Sequence, residues 1–202
     1  MADDATKLSF LDKFKDKDHS DIAIETGSQA TNKENGFAES KSGVVKIDDH
    51  SSHTVWRFIS YCYTGDYSNE SNSVELGTDD DLGPFKHRRI YALADMLDAS
   101  DLKKLAAKKL DDYLTEKWAN DSVASDFADL VRETYDTTNT GDEDIRNVIV
   151  KATRGQTNEL IPCKDFKAVL YEIAEYSDVL VVQGHDFFFC FLFYCYPRLG
   201  VR

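Results

Sequence analysis

The chain reads as an α+β fold, with short strands first and a helical cluster after them. Three observations predict this. Apolar and polar residues alternate over residues 20–26 and recur around Val44, Val45 and Ile47. From Thr54 the apolar spacing changes to that of a helix and stays so. No repeat of about 20–50 residues is visible, which excludes solenoids and propellers. At 202 residues the chain is one domain, or one domain with an appendage, and can bury a core. The expected organisation is an N-terminal segment over 1–19, a domain over 20–117, and a helical extension with an aromatic tail over 118–202.

Each element has its own pattern. In SDIAIET, residues 20–26, Ile22 and Ile24 alternate with smaller or polar neighbours as in a short strand. GSQATNKENG, residues 27–36, is too polar to join a core. Val55, Phe58, Ile59 and Cys62 fall at i, i+3, i+4 and i+7, so a helix should bury that face. It should end at Thr64-Gly65-Asp66-Tyr67, where Gly65 can turn left-handed. Residues 68–84 are polar, carry Asp79, Asp80 and Asp81, and read as a loop. A helical hairpin follows. Ile90, Leu93, Ala94 and Leu97 form one face, and Leu102, Leu105, Ala106, Leu110, Tyr113 and Leu114 the other. Ser100 stands as its N-cap, with Asp101 placed favourably against the helix dipole. Further helices are expected over 122–135, 142–153 and 164–176, the last with Phe166, Val169, Leu170 and Ile173 in register.

Composition excludes several functions. There are 37 acidic and 24 basic side chains, a formal charge of -13, so the chain lacks the basic surplus that binds phosphate backbones directly. The N-terminus has no apolar run preceded by basic residues and does not read as an export signal. Cys62, Cys163, Cys190 and Cys195 form no CxxC pair, which suits reduced thiols in the cytoplasm or nucleus. The longest apolar run, Phe187 to Tyr196, is too short to span a bilayer, which takes about 20 residues as a helix. His185, Cys190 and Cys195 match no common zinc spacing, and Cys62 reads as a core residue. No P-loop, G-x-G-x-x-G, G-x-S-x-G or HExxH occurs, so neither catalysis nor a cofactor is expected.

Four segments carry a family resemblance: SDI at 20–22, GFAESKSGVVKIDD at 36–49, WRFISYCYTGDY at 56–67, and RIYALADMLDASDLKKLAAKKL at 89–110. In this order they resemble a fungal BTB/POZ domain with part of its N-terminal half missing. YTGDY followed by the Tyr91, Leu93, Ala94, Asp95 opening is the most specific pair. Where the family has a further strand and a helix central to dimerisation, this chain has only Gly27 to Asn35. The resemblance implies a non-catalytic protein-interaction module. Its partners would be a second copy, a cullin scaffold for substrate ubiquitination, or a transcription complex. By the same analogy its contact residues would be Tyr61, Tyr63, Asp66 and Tyr67 around the turn. Lys104 and Lys108, four apart on the last helix of the hairpin, could offer a basic edge to an acidic partner, or be an ordinary solvated face in a segment of eight basic and six acidic residues, 86–117. Two other readings stand beside this one: a poorly folded remnant of a fuller BTB protein, and a small helical enzyme without a recognisable motif.

Overall fold

A computed structural model describes residues 23–26, 44–47, 49–68, 76, 80–81, 83–118 and 123–183. The chain divides into two compact units, Met1–Asp81 and Leu82–Arg202. The bridge over 27–36, most of the 68–84 loop and the aromatic tail with His185, Cys190 and Cys195 lie outside the described residues.

The α+β expectation is overturned: the described chain is built by helices, and no sheet layer supports them. The strand pairing among the described residues is one parallel ribbon, β1 (Ala23–Thr26) beside β2 (Val44–Ile47), from Ala23 opposite Val44 to Thr26 opposite Ile47. Four residues per strand and two strands are too few to make a layer that buries a face. After Ser51, almost every described segment obeys the 3.6-residue period instead.

In the first unit, α1 (Ser52–Thr64) is capped by Ser51, whose Oγ accepts from the Thr54 amide at 3.2 Å. Gly65 closes it with φ 72°, its N–H donating to the Tyr61 carbonyl at 2.8 Å, as the glycine in the sequence suggests. The buried face is not the expected one. His53, Thr54, Arg57 and Ser60 are buried with Val55, whereas Phe58 and Ile59 are only partly covered and Cys62 is exposed. The reason is a polar lock. Arg57, fully buried, donates from Nη1 and Nη2 to the two oxygens of Asp80 at 2.9 and 2.5 Å, and from Nε to the Ser68 carbonyl at 3.2 Å. Asp81 accepts from the hydroxyls of Ser51 and Thr54 at 3.0 and 3.1 Å. The acidic run thus folds back and satisfies the polar stripe of α1, which can then be buried without orphaned donors.

The second unit contains α2 (Phe85–Met96), α3 (Ser100–Lys117), α4 (Val123–Thr137), α5 (Glu143–Gly155), the single turn α6 (Thr157–Leu160), α7 (Lys164–Glu172) and α8 (Ala174–Gln183). The α2–α3 hairpin is its most extensive packing; α3 also meets α5, and α4 and α8 both lie against α5 and α7. Ile90, Leu93, Ala94, Leu102, Ala106, Leu110 and Leu114 are buried as their spacing requires. Leu97 departs from the pattern and is 39% exposed. Ser100 is the first residue of α3 rather than its cap; the N-cap position falls on Ala99, with no side-chain bond, while Asp101 does sit in the first turn. Behind the hairpin runs an aromatic row: Trp118, Phe127, Phe166, Tyr176 and Tyr135, with successive ring centroids 5.1, 6.2, 6.4 and 5.2 Å apart.

The helix expected over 164–176 is two helices. Ile173 takes φ −115°, ψ 86°, and the Ser177 hydroxyl donates to the Leu170 carbonyl at 2.5 Å, so a side chain satisfies backbone that the helix would have used. No glycine or proline marks this break.

Lys103 ties three elements together. Its ammonium donates to Asp95 at 2.6 Å and to Asp142 at 2.7 Å and lies 4.8 Å from the centre of the Tyr91 ring, while the Tyr91 hydroxyl donates to the same Asp142 oxygen at 3.1 Å. Burial alone would lower the Lys103 pKa, but its hydrogen bonds to Asp142 and Asp95 outweigh it and hold the ammonium above 10.5. Burial would likewise raise Asp142, but Lys103 and the Asn139 amide keep its carboxyl below the ordinary 3.8. Burial, then the Asp142 charge, pushes Tyr91 up to about 12. Asp142 therefore adds stability above the ordinary carboxylate value, and that part is lost as pH falls through its depressed value. Lys103→Met is expected to lower the second unit's stability at pH 7 by about 2–3 kcal/mol. It should also flatten the acid limb of the stability–pH curve, read from urea midpoints between pH 7 and pH 2.5.

Candidate interaction surface

The turn after α1 is held from within. The Thr64 hydroxyl lies 2.8 Å from the Ser60 carbonyl and 2.6 Å from that of Asp66, and the Asp66 N–H returns to the same hydroxyl at 3.2 Å. Asp66 Oδ1 accepts from the Tyr67 N–H at 2.8 Å. These bonds make the turn a rigid mount for the side chains around it.

The four turn residues divide by exposure. Tyr67 is 2% exposed; burial raises its pKa far above 10.0, with Arg57 opposing, so it packs the turn from beneath. Tyr61 is half-buried, Asp66 is exposed, and Tyr63 stands 49% exposed. Of the four, Tyr63 and Asp66 are the side chains a partner could reach most readily. Lys104 and Lys108 are exposed on α3, with Asp101 one turn before them and Asp112 one turn after, so they form part of a mixed-charge helix face. They belong to the second unit, whereas the tyrosine turn belongs to the first.

Three residues assigned to the core in the sequence reading belong with Tyr63 instead. Because α1 buries its polar stripe, it leaves Phe58 and Ile59 partly exposed and Cys62 exposed, with Ile59 one turn before Tyr63 and Cys62 one turn after Phe58. The result is an apolar stripe on the outer face of α1 that runs up to the turn. The available signal was Arg57 together with Asp80 and Asp81: opposite charges able to neutralise one another in a buried position. Apolar periodicity alone placed Val55 correctly but not Phe58, Ile59 and Cys62.

Partial burial pushes the Cys62 thiol above its ordinary 9.0, only weakly opposed by a backbone hydrogen bond, so little thiolate forms at neutral pH. Among the described residues, no three His, Cys, Asp or Glu side chains are placed to hold a metal ion. No described helix is long and apolar enough to cross a membrane. No family model, no curated protein and no solved structure matches this chain.

Proposed function

We propose that this chain is a non-catalytic protein-interaction module acting inside the cell, and that it binds through the outer face of α1 and the turn that follows. The observation that carries this reading is the inversion of α1. A helix that buries Arg57 and His53 while leaving Phe58, Ile59, Cys62 and Tyr63 at least partly open presents an apolar stripe with a polar rim, the character of a recognition surface. The likeness of residues 56–67 and 89–110 to a fungal BTB/POZ domain supports the same function. It points to a second copy of the chain, a cullin scaffold or a transcription complex as the partner. The proposal concerns that function and not an α+β architecture.

The test uses the purified full chain and its Phe58→Ser/Tyr63→Ala variant. Sedimentation velocity reads self-association, and titration calorimetry with a cullin N-terminal domain reads the adaptor role. At least one association is expected, weakened about tenfold or more in the variant, because exposed aromatic anchors commonly carry that share of a contact. The far-UV spectrum should not change. A monodisperse monomer with no affinity for the cullin, or binding that the variant leaves intact, refutes the α1 surface. Polydisperse aggregate instead indicates a remnant of a larger fold.

A further inference from the structure

Four large apolar side chains are exposed among the described residues, and two of them, Met96 at 53% and Leu97 at 39%, are neighbours at the tip of the α2–α3 hairpin. Isolated exposed apolar residues are ordinary, but an adjacent pair on a rigid support is not. The support here is well bonded. The Ala99 N–H donates to the Ala94 carbonyl at 2.8 Å and the Asp98 N–H to that of Asp95 at 3.1 Å, the bonding of a Schellman helix end. Asp98 occupies the left-handed position of that motif, φ 54°, where glycine is usual.

The charge around the pair is mostly acidic and partly unhelpful to the fold. Asp101 in the first turn of α3, and Glu143 with Asp144 in the first turn of α5, favour their helix dipoles. Asp95 and Asp98 have no such explanation, since they stand at the C-terminal end of α2, where the dipole disfavours anions. Lys103 offsets Asp95, and by reaching Asp142 as well it brings the α4–α5 turn to this same end of the unit. Met96 and Leu97 are thus flanked along the chain by Asp95, Asp98 and Asp101, a predominantly acidic rim in which Lys103 is paired to Asp95 and Asp142 and which ends on α3 at Lys104. Such a rim repels nucleic acid and anionic lipid.

We propose that this end of the second unit docks a basic amphipathic segment of a partner protein, its apolar side chains on Met96 and Leu97 and its lysines or arginines on Asp98 and Asp101. Charge complementarity selects this occupant over a second copy of the chain, which would bring like charge to the contact. The site belongs to the second unit and the tyrosine turn to the first, and it does not depend on that reading.

The test is fluorescence anisotropy of the full chain with a labelled 14-residue helical probe of leucine and lysine, at about 50 and 150 mM salt. A second probe has serine in place of leucine. The leucine probe is expected to bind, weakening with salt, and to lose about tenfold affinity with Met96→Ala/Leu97→Ala and again with Asp98→Asn/Asp101→Asn. Tyr63→Ala should leave this binding unchanged, which separates the two surfaces. No binding, equal binding of the serine probe, or insensitivity to the Met96/Leu97 variant overturns the proposal. So does a dimer that dissociates on Met96→Ala/Leu97→Ala, which would assign the tip to a second copy. All four positions are exposed, and unchanged thermal midpoints confirm that each variant folds.

Discussion

Phe127→Ala is expected to cost the second unit about 3–5 kcal/mol. Phe127 is fully buried on α4, with the Trp118 ring on one side and the Phe166 ring on the other. Its removal opens a cavity that neither rigid aromatic neighbour can fill, and it also removes two ring contacts. The chain's two tryptophans make this measurable one unit at a time, because Trp56 lies in α1 and Trp118 at the end of α3. In a Trp56→Phe background, urea unfolding followed by Trp118 fluorescence should show the midpoint fall with little change in slope. A loss under about 1 kcal/mol would mean that the aromatic row does not organise this core.

Arg57→Ala should destabilise the first unit by about 3 kcal/mol or more, followed through Trp56 in a Trp118→Phe background. The substitution leaves the Asp80 carboxylate, 17% exposed, without its bidentate partner, and removes the donor to the Ser68 carbonyl. Much of that loss is the penalty for the stranded charge rather than the strength of the pair. Asp80→Asn placed on Arg57→Ala is therefore expected to recover part of it. An additive double variant would show that the two side chains act independently.

Where local signals act alone, the chain was legible. Gly65 ends α1 because only a residue without Cβ takes φ 72° at no cost. The hairpin of α2 and α3 follows from apolar spacing on both sides of a short polar turn. The helices over 123–137 and 143–155 lie within two residues of their expected ends. The split at Ile173 was not legible, because a serine four residues later makes it through one hydroxyl.

The α+β reading failed for a related reason. Two four-residue runs have the alternation of strands, and period alone does not say whether enough strands will gather to make a layer. The candidate surface was legible in part. Tyr63 and Asp66 were marked by the turn, and both are exposed. Tyr67 was marked by the same turn and is buried beneath it.

By itself the sequence determined where most of the helices form, and it determined the acidic balance, a formal charge of -13. These follow from propensity, spacing and charge, which each short segment carries with it. Only the tertiary structure decided which face of α1 is inside. That choice depended on Asp80 and Asp81 returning across more than twenty residues to satisfy Arg57, Thr54 and Ser51. A buried arginine is ruinous without its carboxylate and acceptable with it. The same side chain can therefore mark the outside or the inside of a helix, depending on a contact that no local pattern contains.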